Sequence, residues 1–376
     1  MFTLDQAISA INGRKEFVVK QRSYGTVIDY NIELSDTFVG RTAEETQILL
    51  NLRGTIFDDA GKIIRLPYHK FKNINQSVEY QSQNFDLSQP HVIQEKLDGS
   101  MIAAFPVATN WEFGTRAGIT DVSKQAQAYF DRMLMERRFA YQQLIVACLD
   151  QGQTPIFEYC SRENRVVIDY PVSKLVLTAI RDNATGEYLS LKGVNPLIEV
   201  VKEVKFRQDD AIDFVAKQIA SLTDSEGVVI KFADGRMVKI KAELYCLQHR
   251  TRESLRQEKD VLRLILRGQL DDVLGLLSPD AVADIQRYSD AVLRNVRHCE
   301  RQLRNVYLDY RRICEDRKAF AALATKNRLG SILFSWYSNK SVTLTEYLLD
   351  HCTSQTRVDE VRWILGAQFK SGAADE

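Results

Sequence analysis

The feature that most constrains the fold is a change of sequence pattern near residue 250. Before it, short apolar and β-branched runs are separated by Asn, Asp and Gly, whereas after it apolar residues recur at steps of three and four. The first pattern is typical of strands joined by turns, and the second is typical of amphipathic helices. The sequence therefore predicts an α+β domain over residues 1–250 and an all-helical domain over residues 251–376.

Within the first domain, the apolar runs and the helical stretches can be placed individually. The chain has two stretches with helical spacing, 121–150 and 208–221, between its predicted strands. The predicted strands include "EFVVKQ", "TVIDYNIEL", "RGTIFDD", "HVIQEKL", "MIAAFPV", "TPIFEYC", "RVVIDY", "KLVLTAI", "EGVVIKF" and "MVKIKA".

Composition restricts the class of protein. Of 376 residues, 45% are hydrophobic and 27% are charged, as in an ordinary globular protein, and the net charge of zero gives no sign of a nucleic-acid partner. The six cysteines have neither CxxC nor zinc-site spacing, so we expect reduced thiols. No run reaches the length of a membrane span, and the first residues lack a signal-peptide pattern. We expect a cytosolic protein, monomeric and without a membrane partner.

The stretch "EKLDGS" places Lys96 and Gly99 where a strand would be expected to continue. Glycine weakens a strand interior unless a bulge or a close backbone approach requires it. A lysine held at such a point would lie beside whatever comes close. The alternative is a hairpin turn with a surface lysine.

Two downstream segments carry further candidates. Glu158 lies in an alternating apolar run, and "SEGVVIKFADGRMVKIKAELY" contains Glu226, Lys239 and Lys241. The strand period of two places Lys239 and Lys241 on one face, where two cations are compatible if an anion lies between them. A solvated sheet face is the alternative for each of these residues.

Upstream, Arg53 in "LRGTIFD" and Lys70 in "YHKFKNIN" add two more cations. Together these residues could form a site for a nucleotide polyphosphate and a metal. The chain has no GxGxxG, and "GTIFDDAGKI" lacks both the spacing and the Ser or Thr of a P-loop. Side-chain cations, and not a glycine-rich loop, would therefore have to hold the phosphates.

Four segments of the chain resemble motifs I, III, IV and V of the covalent nucleotidyltransferases, in the same order: K-L-D-G-S, F-E-Y, E-G-V-V-I-K and K-I-K. This superfamily includes DNA ligases, RNA ligases and capping enzymes. More specifically, the chain resembles the RNA ligase 1 family of T-even-type phages, which are ATP-dependent tRNA-repair enzymes. The matching segments cover most of residues 25–250 and include "DYNIELSD", "LRGTIFD", "HKFKNIN", "EKLDGS", "IRDNATGEYLS" and "VKIKAELY".

The resemblance implies a nucleotidyltransferase domain with ATP-grasp-like antiparallel sheets and helices, followed by the helical domain. It implies a ligase that joins RNA 5′-phosphate and 3′-hydroxyl ends through enzyme-lysyl-AMP and adenylylated RNA. The cofactors would be ATP and Mg²⁺, with Mn²⁺ as an alternative. The RNA partner would be a tRNA broken in its anticodon loop, and a phage-encoded enzyme would act in the host cytosol.

The resemblance also implies roles for single residues. Lys96 would be the nucleophile, Glu226 would support it and the metal, and Arg116 stands where the family has a catalytic motif Ia lysine. Asp271 would be a metal ligand in the C-terminal domain, and Lys72 replaces an aromatic residue of the family. The residues implied in ATP binding are Tyr30, Arg53, Lys70, Gly99, Glu158, Lys239 and Lys241.

The mechanism adds one expectation about ionisation. Lysine is protonated at neutral pH, and only the neutral amine can attack a phosphorus atom. Neighbouring cations and partial burial lower the pKa of an ammonium group. We therefore expect the pKa of Lys96 to lie below its ordinary value.

The helical domain contains a candidate RNA surface. At 100° per residue, five arginines fall within one arc of a single long helix, opposite an apolar stripe. Only Glu300, at the edge of that arc, offers local neutralisation, so we expect the arginines to contact RNA phosphates; a solvated helix face is the alternative. The five residues are Arg294, Arg297, Arg301, Arg304 and Arg311.

Other functions share parts of this pattern. A DNA ligase or a capping guanylyltransferase would have the same motifs, but its transferase domain would be followed by a β-barrel. The helical periodicity after residue 250 argues against both. A non-catalytic RNA-binding protein with a relic site is the remaining alternative, and formation of a covalent AMP adduct would exclude it.

Overall fold

The computed structural model describes residues 1–207, 211–277 and 279–369. The chain divides into two compact units, Met1–Cys246 and Leu247–Glu376. The boundary between the units falls within a helix, Glu243–Ser254. The first unit contains antiparallel sheets and helices, and the second unit is built from helices, so the predicted α+β class with a helical C-terminal part is confirmed.

The strands of the first unit form three antiparallel sheets. The first sheet contains β1 (Phe17–Arg22), β2 (Gly25–Tyr30), β3 (Thr55–Phe57) and β4 (Ile63–Arg65), paired in that order. The second sheet contains β5 (His91–Lys96), which pairs with β10 (Gly227–Phe232), which in turn pairs with β11 (Met237–Lys241). The third sheet contains β6 (Ser100–Val107), β7 (Asn110–Gly114), β8 (Gln153–Cys160) and β9 (Lys174–Asp182) in the order β7-β6-β8-β9.

The helices of the first unit differ in part from those predicted. The predicted helical stretch 121–150 is two helices, because the chain turns between Asp131 and Met135. The prediction for 208–221 holds for 212–220, and residues 208–210 lie outside the described ranges. The helices are α1 (Leu4–Ile11), α2 (Ala43–Asn51), α3 (Asp121–Asp131), α4 (Met135–Asp150) and α5 (Ile212–Ala220).

The two faces of the second sheet are chemically different. One face carries buried apolar side chains, among them Ile93, Ile230 and Ile240, which pack into a hydrophobic cluster with α5. Strand alternation places the side chains of Lys96, Lys231, Lys239 and Lys241 on the other face. In the register, Gly227 lies opposite both Lys96 and Lys241, so these two lysines are level across the sheet.

The segment "RVVIDY", residues 165–170, is not the predicted strand. Its backbone N–H groups are used in another way: those of Val167 and Ile168 donate to the Asp98 carboxylate at 2.7 and 2.6 Å. The other oxygen of Asp98 accepts from the Tyr245 hydroxyl at 2.7 Å. The buried Asp98 carboxylate thus fixes this segment as a loop next to Lys96. It accepts backbone N–H groups that in a strand would bond to a neighbouring strand.

Gly99 lies between β5 and β6, at a close approach of two backbones. A Cβ atom at this position would lie 2.4 Å from the carbonyl oxygen of Tyr159 and 2.9 Å from the sulfur of Cys160, both in β8. Glycine is therefore required by packing between the Lys96 segment and β8. Its predicted contact with ATP stays a prediction.

The second unit contains helices over its described residues, 247–277 and 279–369, and no strand within them. The β-barrel expected of a DNA ligase or a capping enzyme is therefore not found in that range. The helices are α6 (Glu243–Ser254), α7 (Glu258–Arg267), α8 (Asp271–Leu274), α9 (Pro279–Ile313), α10 (Arg317–Ala324), α11 (Gly330–Tyr337), α12 (Leu344–Leu349), α13 (Gln355–Glu360) and α14 (Arg362–Leu365).

The long helix α9 organises the core of the second unit. Its buried side chains Val292, Val296 and Leu303 pack with apolar residues of the shorter helices. This is the apolar stripe predicted from the sequence. Across the described ranges of both units, the helices include none with the length and apolarity needed to traverse a bilayer.

Candidate active site

The centre of the site is a buried carboxylate between two lysines. Glu226, which is 3% exposed and directly precedes β10, has one oxygen 2.7 Å from Lys96 Nζ and the other 3.0 Å from Lys241 Nζ. Lys96 is the last residue of β5 and Lys241 is the last residue of β11. Antiparallel pairing of both strands with β10 brings these chain-distant residues to one point.

The predicted direction of the Lys96 pKa shift is wrong. Burial acts to lower the pKa of Lys96, but the attraction of Glu226, Glu158 and Asp98 outweighs burial and raises it above its ordinary value. Conversely, burial acts to raise the pKa of Glu226, and the two lysines hold it below its ordinary value. The nearest charges of Lys96 are therefore acidic, and the amine is protonated at neutral pH.

Glu158 is a second carboxylate of the site, and it has no partner within the described ranges. It lies in β8 opposite Met101 and Val176, and its carboxylate has no hydrogen bond or ion pair with any residue of the described ranges. Burial raises its pKa to about 7, despite the opposing attraction of Lys96 and Arg53. Such a carboxylate fits a ribose hydroxyl or a cation that the protein itself does not supply.

Two cations near these carboxylates have no acidic partner in the described part of the chain. Burial, together with repulsion from the neighbouring cations Lys96, Lys241, Lys70 and Arg53, lowers the pKa of Lys239 to about 7. Among the described residues, the Arg53 guanidinium has one hydrogen-bond contact, with the sulfur of Met101 at 3.8 Å. Lys239 and Arg53 lie close enough to affect each other's ionisation, and the anion expected between Lys239 and Lys241 stays a prediction.

Tyr30 lies among the remaining candidate nucleotide contacts. The Lys70 ammonium donates to the Tyr30 hydroxyl at 3.3 Å and forms an ion pair with Glu33. The Arg116 guanidinium lies 4.5 Å from the centre of the Tyr30 ring, and its Nε is 3.0 Å from Asp29 Oδ2. Both cations therefore have a carboxylate partner within the protein.

Lys72 contributes its backbone to the site. Its carbonyl oxygen accepts a hydrogen bond from the Lys239 N–H at 3.2 Å, and its side chain lies near Glu79. Its neighbour Phe71 is an aromatic residue at the site, with the ring centre 5.7 Å from Lys239 Nζ. Phe71 thus offers a ring for contact with a base.

The predicted metal ligands fall in different units. Glu226 belongs to the first unit, and Asp271 is the exposed first residue of α8 in the second. No group of three or more metal-binding side chains is present among the residues that the structure describes. Both oxygens of Glu226 contact lysines, so Glu158 offers the free carboxylate for a cation, and the role of Asp271 stays a prediction.

Three residues that contact predicted site residues, Asp29, Glu33 and Tyr245, were not predicted from the sequence, and neither was Asp98, which accepts a hydrogen bond from Tyr245. All four lie inside the sequence segments quoted above. Their partners are distant in sequence, however, and no periodicity connects them. Tyr245, for example, lies under Lys241 with its ring centre 5.2 Å from the ammonium.

The predicted RNA surface is an exposed face of α9. All five arginines of this face are exposed. Arg304 pairs with Glu300 at 3.0 Å, and the Arg311 guanidinium lies 4.9 Å from the centre of the Tyr337 ring. No ion pair is found for Arg294, Arg297 or Arg301 with any described residue. The face is therefore available to an anionic partner.

The model of an RNA ligase family matches residues 51–245, which contain Lys96, Glu158, Glu226, Lys239 and Lys241. A candidate RNA ligase of Thermovibrio ammonificans is 27% identical over 304 residues, covering 79% of this chain and 77% of that protein. A candidate bifunctional polynucleotide kinase/RNA ligase of Autographa californica nuclear polyhedrosis virus is 28% identical over 206 residues. This alignment covers 52% of the chain and 29% of the viral protein.

Solved structures of RNA ligases are also similar, at a lower level. An archaeal ATP-dependent RNA ligase has a TM-score of 0.43 and 16% identity, covering 74% of this chain and 73% of that one. A Naegleria gruberi RNA ligase mutant without ligand has a TM-score of 0.37 and 16% identity, covering 48% and 57%.

Replacement of Glu158 by Gln should stabilise the fold, and the gain should depend on pH. The folded-state pKa is about 7 and the ordinary value is 4.5, so the ionised carboxylate opposes folding at pH 8. The gain in unfolding free energy should be at most about 3 kcal/mol at pH 8. Most of the gain should disappear at pH 5, where the folded-state carboxyl is protonated.

Chemical unfolding of both proteins at the two pH values measures this effect. Glu187→Gln, at an exposed position, is the control and should change little at either pH. Equal stability of wild type and Glu158→Gln at pH 8 would show that the carboxylate is well solvated and that no such site exists.

Proposed function

The chain belongs to the RNA ligase 1 family of T-even-type phages and is an RNA ligase, and we propose that it activates RNA ends with ATP through a covalent AMP adduct on Lys96. The observation that carries this proposal is the position of Lys96. Its amine is held by a buried carboxylate, Glu226, beside Lys239 and Arg53, two cations without an acidic partner in the described chain. A nucleotide phosphate would supply the missing anion.

In the first step, the neutral amine of Lys96 attacks the α-phosphorus of ATP. A phosphorus–nitrogen bond forms, the bond from the α-phosphorus to the bridging oxygen breaks, and pyrophosphate leaves with that oxygen. Lys96 must first lose a proton to solvent, because its pKa is raised in the free enzyme. Glu226 fixes the position of the amine through the 2.7 Å contact.

The remaining charges fit the ends of the nucleotide. The α-phosphate would contact Lys239 and Lys241. The outer phosphates would contact Arg53 and Lys70, and the ribose would contact Glu158. Developing negative charge on the leaving pyrophosphate is stabilised by such preorganised cations. Bound near Glu158, Mg²⁺ or Mn²⁺ would add positive charge at the phosphates and oppose protonation of Lys96.

In the later steps the enzyme transfers AMP to an RNA 5′-phosphate, and an RNA 3′-hydroxyl then displaces AMP to seal the strand. We propose that the natural substrate is a tRNA broken in its anticodon loop. The arginine face of α9 supports this proposal, because a row of exposed guanidinium groups fits the phosphates of an RNA stem.

Lys96→Ala should abolish formation of the AMP adduct from ATP, because the nucleophile is lost. The variant should still join RNA that carries a preformed 5′-adenylyl group, since that step needs no lysine nucleophile. Lys96→Arg should fail in the same way, because a guanidinium group stays protonated. Intact-protein mass spectrometry and a ligation assay on both RNA substrates measure the two activities.

Lys231→Met is a matched control, because Lys231 lies on the same face of the same sheet and the change keeps most of the side-chain volume. This variant should form the adduct. An adduct on Lys96→Ala at the wild-type level would contradict the assignment. An adduct from GTP in place of ATP would indicate a capping enzyme, and no adduct from wild type would indicate a non-catalytic RNA-binding protein.

Replacing Arg297, Arg301 and Arg304 together by Gln should weaken RNA binding and leave AMP-adduct formation intact. The reason is that phosphate contacts release counter-ions, so each lost contact lowers the slope of log affinity against log salt by about one unit. Binding of nicked tRNA at several salt concentrations measures the affinity and the slope.

The control removes the same charge elsewhere in the second unit, by changing the exposed Lys318, Lys326 and Lys340 to Gln. We expect the control to affect affinity and slope less than the arginine variant does. Equal effects of the two triple variants, or no effect of the arginine variant, would leave α9 as an ordinary solvated surface.

A further inference from the structure

Lys70 is held by a carboxylate from a neighbouring segment. Its ammonium forms an ion pair with Glu33 and donates to the Tyr30 hydroxyl. The ammonium also lies 5.4 and 5.7 Å from the ring centres of Tyr30 and Phe38. The Lys70 side chain is 11% exposed, so its position is fixed by packing as well as by charge.

Glu33, in contrast, approaches Lys70 from the solvent side. It belongs to residues 31–36, which are all exposed and which connect β2 towards α2. The end of this segment is fixed by the Arg14 guanidinium, which donates to the carbonyl oxygens of Asp36, Thr37 and Val39. The Glu33 side chain is 31% exposed and makes its contact with Lys70 alone among the described residues. Glu33 can therefore leave Lys70 without disturbing the core.

Lys70 lies near the cations of the proposed phosphate site, since the Lys239 N–H bonds to the carbonyl oxygen of the second residue after Lys70. It is one of the charges that lower the pKa of Lys239, together with Lys96, Lys241 and Arg53. An anion bound among these cations would compete with Glu33 for the Lys70 ammonium. A pyrophosphoryl group carries more negative charge than a carboxylate, so it is the stronger competitor, whereas a lone α-phosphate would be bound by the lysines nearer Lys96.

We infer that Glu33 is a displaceable counter-ion that occupies the place of the outer phosphates on Lys70 when no triphosphate is bound. This inference rests on the proposed function, in which the cleft binds ATP. It makes Glu33 a residue that determines specificity: a ligand must bring outer phosphates to release Lys70 from it. After adenylylation, Glu33 returns to Lys70 as pyrophosphate leaves, which weakens rebinding of pyrophosphate and opposes the reverse reaction.

Calorimetric titration with inorganic pyrophosphate and, separately, with AMP tests the inference. Glu33→Gln removes the competing charge and should tighten pyrophosphate binding about three- to tenfold, with AMP affinity unchanged. Asp36→Asn removes the same charge from the same segment, and the Asp36 carboxylate has no partner among the described residues. This control should leave both affinities as in wild type.

The same titration in Lys70→Ala protein shows whether the effect of Glu33→Gln on pyrophosphate affinity depends on Lys70. In Lys70→Ala protein, the additional change Glu33→Gln should leave pyrophosphate affinity unchanged, because the competition no longer exists. Weaker or unaltered pyrophosphate binding in Glu33→Gln alone would overturn the inference. So would an equal gain in Asp36→Asn, or a gain that persists in the Lys70→Ala background.

The inference and the proposed function can fail separately. A wild-type protein that forms no AMP adduct from ATP would overturn the proposed function. Pyrophosphate binding requires no chemistry, so the comparison of the Glu33 and Asp36 variants decides the role of Glu33 in either case.

Discussion

The site depends on the buried carboxylate of Glu226. A carboxylate that is 3% exposed is stable only if it is paired, and here both of its oxygens contact lysine ammonium groups. Through these contacts Glu226 holds together the ends of two strands, at Lys96 and Lys241, that are distant in sequence. Loss of the carboxylate would leave two ammonium groups next to each other without compensation. Glu226 thus fixes the position of the Lys96 amine, the proposed nucleophile, together with that of Lys241, a proposed phosphate contact.

The ionisation of the lysines follows from their distance to this carboxylate. Lys96 is paired, and its pKa is raised, whereas Lys231 and Lys239 are buried without an acidic partner in the described chain, and the pKa of each is lowered to about 7. In the free enzyme, the lysine proposed as nucleophile is therefore not the one most easily deprotonated. Lys96 is proposed as the nucleophile because of its position. For its amine to lose a proton, binding of ATP and a divalent cation would have to change the charge around it. The carboxylates around Lys96 are suited to such a cation, which would cancel the attraction that keeps the amine protonated.

The sequence predicts local features well and pairings between distant segments poorly. Strand periodicity gives the shared face of Lys239 and Lys241, and helical periodicity gives the helical second unit with the apolar stripe of α9. The segment 165–170 has the composition of a strand, but Asp98, about seventy residues earlier, accepts its backbone N–H groups. The partners of Lys70 and Arg116, and the direction of the Lys96 pKa, likewise depend on where acidic residues lie in space. Composition and periodicity carry no information on such contacts.

The central claim is that Lys96, and not one of the more easily deprotonated lysines, becomes adenylylated. Tandem mass spectrometry of proteolytic peptides, after incubation of the protein with ATP and Mg²⁺, tests it most directly. We expect an AMP-modified peptide that contains Lys96, with the modification on that residue. A modification on Lys231 or Lys239, or the absence of any modified peptide, would contradict it.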